Sequence, residues 1–296
     1  MTGGSGFIGA WTAEELLREG HEVATLDLLE APRNDVEHFI VDVRDFKRYR
    51  EVAKDYDAVV HLAAVVDVEE ASERPLYTEE VNVRGTLNVL EVARERGQKV
   101  VLASSAAVYG EPKYVPIDEE HPLRPKSVYG ATKASGDMLA LSYSESFGVK
   151  VAVLRYFNVY GPSIGRRVPG NVIHKFLSRL LRNEPVVIYG DGSQVRDFVY
   201  VEDVAKANLI ALERAEGIYN VGTGKGISIL ELLELIFKVT GRKTRVEFLP
   251  PRRGDIKESI ADIKRVLGIG WRPSVSLEEG ISRTWKWIRG SEVPRP

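Results

Sequence analysis

The chain has 296 residues and a formal net charge of −2, with 41 lysines and arginines against 43 aspartates and glutamates. That length allows one large domain or two closely packed ones, and the balanced charge argues against a nucleic-acid or polyanion partner. Zero cysteines exclude disulfides, thiolate metal sites and cysteine nucleophiles, and the five histidines (His21, His38, His61, His121, His174) show no metal-ligand spacing. No apolar run reaches the roughly 18 residues a membrane span needs and no signal-peptide pattern is present, so a cytoplasmic protein without a membrane partner is expected.

Thr2-Gly-Gly-Ser-Gly-Phe-Ile-Gly9 opens the chain and fits G-x-x-G-x-x-G on Gly3, Gly6 and Gly9, and G-x-G-x-x-G on Gly4, Gly6 and Gly9. Without Cβ atoms such a backbone can approach a pyrophosphate, and the helix expected over 8–19 would present free N–H groups and its positive dipole end. A flexible N-terminal turn has the same composition. Apolar strand-like runs follow at 22–26, 38–41, 58–62, 100–103 and 151–154, with helical patterns at 46–53, 79–95 and 129–147 between them. Alternation of this kind predicts a doubly wound parallel sheet, a dinucleotide-binding domain over 1–155. The strand that should precede the glycine turn and lie centrally has no room before Met1-Thr2; either the natural start lies upstream or another segment takes its place.

Asp27 ends the next expected strand, eighteen residues after Gly9, near the spacing of a carboxylate that accepts from a ribose 2′-OH. Leu28, Leu29 and Glu30 follow it, so a 2′-phosphate would be repelled with no adjacent arginine to offset it, and NAD is favoured over NADP. A loop-entry aspartate at a turn is the alternative reading.

Between about 155 and 170 the chain turns rich in Gly, Pro and aromatics. Beyond lie a helix over 171–181, strands near 186–188 and 198–201, and a helix from Glu202. Ser228-Ile-Leu-Glu231 and Ser276-Leu-Glu-Glu279 read as capping boxes opening two more helices. This predicts a smaller α/β substrate domain over 156–296, with 196–214 returning to the first.

Tyr129 and Lys133 stand four apart on the helix expected over 129–147 and so share one face. There an ammonium can stabilise a phenolate and lower a pKa that is ordinarily about 10. The pair would move a proton to or from a sugar or alcohol hydroxyl. A solvated helix face can show the same spacing, but the glycine turn and the Ser104-Ser105 pair ending a buried-looking strand favour chemistry.

Taken together, these motifs resemble the extended short-chain dehydrogenase/reductase family over nearly the whole chain. TGGSGFIG, Asp42-Val43, His61-Leu-Ala-Ala64, Asn82-Val-x-Gly-Thr-Leu-Asn-Val, Ser104-Ser-Ala-Ala-Val-Tyr-Gly110 and Tyr129-x-x-x-Lys133 occur in the family's order. The resemblance implies a Rossmann domain holding NAD through Gly3, Gly6, Phe7, Ile8 and Gly9. It sets Asp27 at the ribose and Asp42 and Val43 at the adenine. Leu62, Ala63, Ala64, Asn82, Ser104, Tyr129, Lys133 and Tyr156 would lie further in, although ordinary strand-end packing would also account for Leu62–Ala64.

Arg155-Tyr-Phe-Asn-Val-Tyr-Gly-Pro162, Tyr189-Gly-Asp-Gly192, Arg196-Asp-Phe-Val-Tyr-Val-Glu-Asp203, Asn220-Val-Gly and Arg252-Arg-Gly-Asp255 look like the nucleotide-sugar branch. That implies a UDP-sugar whose diphosphate is held by Asn158, Arg196 and Arg252. Asn171, Val172, Val187 and Tyr189 would lie near the sugar and base, and Asp255 belongs to the same motif. Arginine suits phosphate oxygens because its donors form a fixed fork.

In the branch's dehydratases the residues after the serine are Asp-Glu, and the decarboxylases keep the glutamate. Here they are Ala106 and Ala107, which cannot transfer protons. The resemblance therefore implies 4-epimerisation of UDP-glucose and UDP-galactose, with Ser105, Tyr129 and Lys133 as the catalytic set. Another 4-keto-sugar reductase or epimerase, such as one acting on UDP-glucuronate, and a catalytically idle NAD-binding protein are the alternatives. In the family a tyrosine four residues after the aspartate of R-x-G-D closes the space around the sugar C2 substituent. Ser259 stands there and leaves it open to N-acetyl sugars. Family members dimerise through two helices, here 79–95 and 129–147. Val89, Val92, Met138, Leu139 and Leu141 would then face a second copy, with packing on the sheet as the alternative.

Overall fold

A computed structural model describes residues 1–166, 170–251 and 254–291. The first half alternates strands β1 (Ala24–Asp27), β2 (Glu37–Ile40), β3 (Ala58–His61), β4 (Lys99–Ser105) and β5 (Val151–Tyr156) with helices. The helices are α1 (Phe7–Arg18), α2 (Phe46–Ala53), α3 (Val68–Glu73), α4 (Pro75–Glu79), α5 (Gly85–Arg96) and α6 (Val128–Phe147). Strands β3, β4 and β5 pair in parallel, and so do β1 and β2.

Met1 and Thr2 join these two sets and occupy the place of the expected central strand. Thr2 N–H donates to Val60 O at 3.0 Å and Thr2 O accepts from Leu62 N at 3.2 Å. On the other side Gly3 N–H donates to Leu26 O and Leu26 N–H to Met1 O, at 2.8 and 2.9 Å. One residue thus bridges both neighbours. Burial of the Met1 ammonium, which donates to Ala24 O at 2.6 Å, pulls its pKa down to about 5.

Side-chain alternation along the strands builds a core on each face of the sheet. Val100, Leu102, Val151 and Val153 face α5 and α6, whereas Val101, Ala103, Ala152 and Leu154 face α1 and α8. Each such aliphatic side chain contributes about 1.5–3 kcal/mol by leaving water. Side-chain caps set several helix starts: Asp45, Asp67 and Ser127 accept from backbone N–H groups at the first turns of α2, α3 and α6. Gly97 and Gly148 end α5 and α6 in the left-handed conformation.

The helix expected over 79–95 is a longer assembly. A π-helical turn over Glu80–Arg84 lies between α4 and α5 and buries Asn82. Val89 and Val92 are fully buried in the core against the sheet, so they do not belong to a surface for a second copy. Met138 is 48% exposed, while Leu139 and Leu141 are half-buried.

The second half contains β6 (Asn158–Tyr160), α7 (Val172–Leu181), β7 (Val186–Tyr189), β8 (Val195–Tyr200), α8 (Val201–Arg214), β9 (Gly217–Val221) and β10 (Gly226–Ser228). After these come α9 (Ile229–Thr240), β11 (Val246–Leu249), β12 (Glu258–Ser259), α10 (Lys264–Gly268) and α11 (Leu277–Ser291). Strand β9 adds beside β5 and α8 packs on α1, so both belong to the large sheet's layers. The order β2-β1-Thr2-β3-β4-β5-β9, helices on both faces, is a Rossmann-like doubly wound fold.

Helices α7, α9 and α11 enclose a separate core with Ile173, Phe176, Leu232, Ile236, Ile281 and Trp285. The Ser228–Glu231 capping box forms in full. At Ser276 only half forms: Glu279 N–H donates to Ser276 Oγ, while the Glu279 carboxylate pairs with Arg283. Among the described residues no helix is long and apolar enough to cross a membrane.

Candidate active site

Parallel strands all end on one side, and in a doubly wound sheet the crevice outside those carboxyl ends is where ligands bind. The glycine turn, Asp27, Leu62–Ala64, Ser105 and Tyr156 all come from that edge. Gly3 has φ +71°, and a Cβ there would stand 2.7 Å from Ala63 N. A Cβ on Gly9 would stand 2.0 Å from Gly3 O. The turn therefore packs on itself and against the strand-end loop, which no residue with a side chain could match. Gly6 is the N-cap of α1 and offers no side-chain cap, so the first N–H groups of that helix keep their capacity for an anion.

Asp27 sits beside this turn. Its Oδ2 accepts from Ser5 N at 3.0 Å, and its Oδ1 from Leu28 N at 2.7 Å and Leu29 N at 3.1 Å. Both readings of this residue meet here: the carboxylate caps the following turn and is fixed next to the glycines. Asp42 lies in a surface cleft, where Arg44 holds its carboxyl below the usual carboxylate range; Arg44 also pairs with Glu80. Val43 is buried and its methyl touches the position of Gly85.

Leu62, Ala63 and Ala64 follow β3. Ala63 N–H donates to Thr2 Oγ1 at 3.2 Å. Asn82 is wholly occupied by structure: Oδ1 accepts from Val65 N at 2.8 Å, and Nδ2 donates to Val65 O and to Thr132 Oγ1, both at 3.0 Å. The π-helical turn thus ties the loop after β3 to α6, a role the motif alone did not reveal.

Ser105, Tyr129 and Lys133 converge. Ser105 ends β4, accepts from Ala107 N at 3.2 Å and hydrogen-bonds Tyr129. Lys133, one turn along α6 from Tyr129, donates from Nζ to Ala103 O at 2.9 Å. Burial pushes the Tyr129 phenol up, the Ser105 hydrogen bond opposes this, and the charge of Asp137 adds to the rise. Burial pulls Lys133 down to about 8, with Asp137 opposing. Burial is thus the largest influence on the phenol, and Lys133 lies one helical turn away on the same helix.

Ser104 is buried behind this set, with its Oγ toward Asp137. The Tyr156 hydroxyl donates to Asn208 Oδ1 at 2.6 Å, so that ring belongs to the core beneath the sheet edge. The spacing argument missed the fully buried pair Asp137–Arg155, joined at 2.9 Å. A further four-residue step from Lys133 along α6 is the signal that could have found it.

On the opposite wall Asn158 Nδ2 donates to Asp197 O at 2.9 Å. Asn171 caps α7, accepting from His174 N and donating to Val159 O, and Val172 begins that helix. Val187 and Tyr189 are half-buried on β7. Arg196 pairs with Asp255 at 2.5 Å, and burial pulls its guanidinium below its ordinary pKa despite that partner. Arg252 lies outside the described residues. Asp197, fully buried, accepts from Thr223, Gly224 and Ala261 and ties β8 to the 222–224 turn and the strand after Asp255.

Residues 1–222 match the family described as the NAD dependent epimerase/dehydratase family. A UDP-glucose 4-epimerase of Mycolicibacterium smegmatis is 35% identical over 305 residues, covering 98% of this chain and 97% of the relative. The crystal structure of a UDP-glucose 4-epimerase of Thermotoga maritima with UDP-glucose superposes with a TM-score of 0.93 at 35% identity, covering 98% of both chains. That of a Thermus thermophilus UDP-glucose 4-epimerase in complex with NAD gives a TM-score of 0.91 at 40% identity, again over 98% of both.

Proposed function

The chain belongs to the NAD dependent epimerase/dehydratase family, and from that premise we propose that it interconverts the C4 epimers of a UDP-sugar, UDP-glucose and UDP-galactose, in the cytoplasm. The observation that carries this reading is the Ser105–Tyr129 hydrogen bond beside Lys133, with Ala106 and Ala107 next in line. The first three groups can move one proton at a sugar hydroxyl; the alanines cannot supply the acid and base an elimination would need.

The residues fit NAD. Gly3 and Gly9 leave bare backbone at the N-terminus of α1, Asp27 stands beside it, and Lys133 has a single carbonyl partner. When bound, NAD supplies the hydride acceptor for C4 and a cationic ring. Tyr129 takes the C4 hydroxyl proton, Ser105 hydrogen-bonds the same oxygen, and Lys133 stabilises the phenolate. In the reverse direction Tyr129 would return the proton to the same oxygen, and bound NAD would be regenerated within each cycle. Arg196 and Asn158 hold the diphosphate, with Arg252 assigned there by the family pattern. A proton NMR assay across UDP-galactose, UDP-N-acetylgalactosamine and UDP-glucuronate tests this; a protein that retains NAD and turns over none of them would overturn it.

Asp27 sets the cofactor. NAD, not NADP, should be released on denaturing the purified protein, because a fixed carboxylate repels a 2′-phosphate. Recovery of NADP would overturn the assignment.

Ser259 sits buried on β12, in register with Arg196 of β8. Its small side chain supports acceptance of N-acetylated UDP-sugars. Ser259→Tyr should suppress turnover of UDP-N-acetylgalactosamine while sparing UDP-galactose, since forcing the acetamide against a ring costs about 1–3 kcal/mol. Equal activity on both in that variant would remove Ser259 from the sugar pocket.

The exposed Met138 and Phe147 on α6, with Leu76 on α4 at 80% exposure, support a homodimer through the α5/α6 face. Light scattering at micromolar concentration should give about twice the chain mass, and Met138→Glu should shift it toward the monomer. A monomeric wild type ends that assignment.

A further inference from the structure

We propose that Asp137 is a positioning residue of this active site: its buried carboxylate is the counter-charge that keeps Lys133 protonated and in place beside Tyr129. Tyr129, Lys133 and Asp137 follow one another at four-residue steps on α6, a spacing that lines them along one helix face. Asp137 has no exposed surface and Arg155 is 1% exposed. Only Asp137 Oδ2 is engaged by Arg155, through Nε at 2.9 Å. The guanidinium spends a second nitrogen on neutral oxygens, Tyr109 Oη at 3.0 Å and Glu119 O at 3.1 Å.

The buried hydroxyl of Ser104 faces the carboxylate and hydrogen-bonds it without adding any charge. A pairing made through one oxygen and one guanidinium nitrogen, with the rest of that guanidinium turned to neutral oxygens, leaves the carboxylate charge able to act on other neighbours. Lys133 lies one helical turn before it on α6, its Nζ anchored on the carbonyl of Ala103, the residue before Ser104.

The other groups facing Lys133 offer no negative charge. From β3, His61 is buried and neutral, its pKa pulled to about 3 by burial and by the Lys133 charge. From β4 come the hydroxyls Ser104 and Ser105, from β5 the cation Arg155, and from α6 itself the phenol Tyr129. Burial drives the Lys133 ammonium to lose its proton, and Asp137 is the anion that resists this. Its charge also disfavours the Tyr129 phenolate, from two helical turns away rather than the one that separates it from Lys133.

The inference rests on the proposed chemistry only for what Lys133 does, and its test reads Lys133 directly. The ¹⁵Nζ resonance of Lys133, assigned by its loss in Lys133→Arg, is titrated in the full-length protein. Arg155→Gln is compared with the double variant Asp137→Asn/Arg155→Gln. Both lose the Asp137–Arg155 pair, and they differ in whether residue 137 can ionise, which the carboxyl ¹³C resonance of Asp137 in Arg155→Gln reads over the same titration. The Lys133 midpoint should fall by roughly one pH unit or more in the double variant relative to Arg155→Gln. UDP-galactose turnover near pH 8 should fall with it by roughly five- to tenfold, the fall in protonated fraction when a midpoint at or below pH 8 drops by one unit.

Equal midpoints in the two variants overturn the proposal and leave Asp137 as a structural partner of Arg155. Should the double variant not fold, Asp137→Leu/Arg155→Met gives the same comparison, since a buried ion pair can be replaced by apolar residues of similar volume. A midpoint that moves in a protein turning over no UDP-sugar sustains Asp137 and overturns the epimerase reading instead. Turnover with an unmoved midpoint does the reverse.

Discussion

Tyr129→Phe should yield a folded, NAD-retaining protein whose conversion of UDP-galactose falls by about two to four orders of magnitude, the range for losing a positioned acid/base. The substitution removes one oxygen, and the structure shows what that oxygen does: it hydrogen-bonds Ser105 at the end of β4. No core contact depends on it, since the ring packs at the edge of the α5/α6 core and stays in place. Ser105→Ala should cost roughly two orders of magnitude, because Tyr129 then lacks its proton-sharing partner while the phenol remains. The order matters: the tyrosine variant must be the more severe. Quantifying product by NMR alongside cofactor released on denaturation separates lost chemistry from lost binding. Wild-type turnover in Tyr129→Phe would sink the acid/base assignment.

The parts of this site that could be read from sequence are those fixed by local spacing. Tyr129 and Lys133 meet because residues four apart on a helix must share a face, and the glycine turn is legible because its residue types serve one backbone geometry. Strands β4 and β5 were legible as uninterrupted apolar runs. What escaped depends on partners distant in the chain. Arg155 sits in a motif associated with the substrate side, yet its guanidinium turns inward to Asp137 and Tyr109 across the sheet. Asn82 and Asn171 were sensed as important, but their amides are used up on backbone groups of residues 65, 159 and 174.

Val89 and Val92 misled because α5 packs against both the sheet and its neighbours, so its apolar residues exceed one stripe without implying a partner. The π-helical turn at 80–84 could not be foreseen either, since an inserted residue shifts the periodicity that helix reading assumes. Thr2, bonded on both sides, bridges β1 and β3 at the position of the central strand.

Gly9→Ala should strip the protein of NAD and lower its melting temperature, although it adds one methyl group. That methyl would be built 2.0 Å from Gly3 O, 2.9 Å from Gly3 C and 3.0 Å from Gly4 Cα, all backbone atoms without a flexible end to yield. The turn cannot retreat from it. Gly3 N–H is held on Leu26 O at 2.8 Å, and the opposite side of Gly3 lies against the backbone of residues 62 and 63. The start of α1 must move instead, and α1 is fixed along its length by packing against α8. Overpacking of this kind costs about 1–3 kcal/mol. The displacement falls on the N–H groups that would face the pyrophosphate, so cofactor should be lost more completely than stability. Gly268→Ala is the control, since a Cβ there meets nothing within 4 Å. NAD recovered per chain and the melting midpoint are the two readouts. If Gly9→Ala matches Gly268→Ala in both, the close packing of the turn is not what prepares the site for its cofactor.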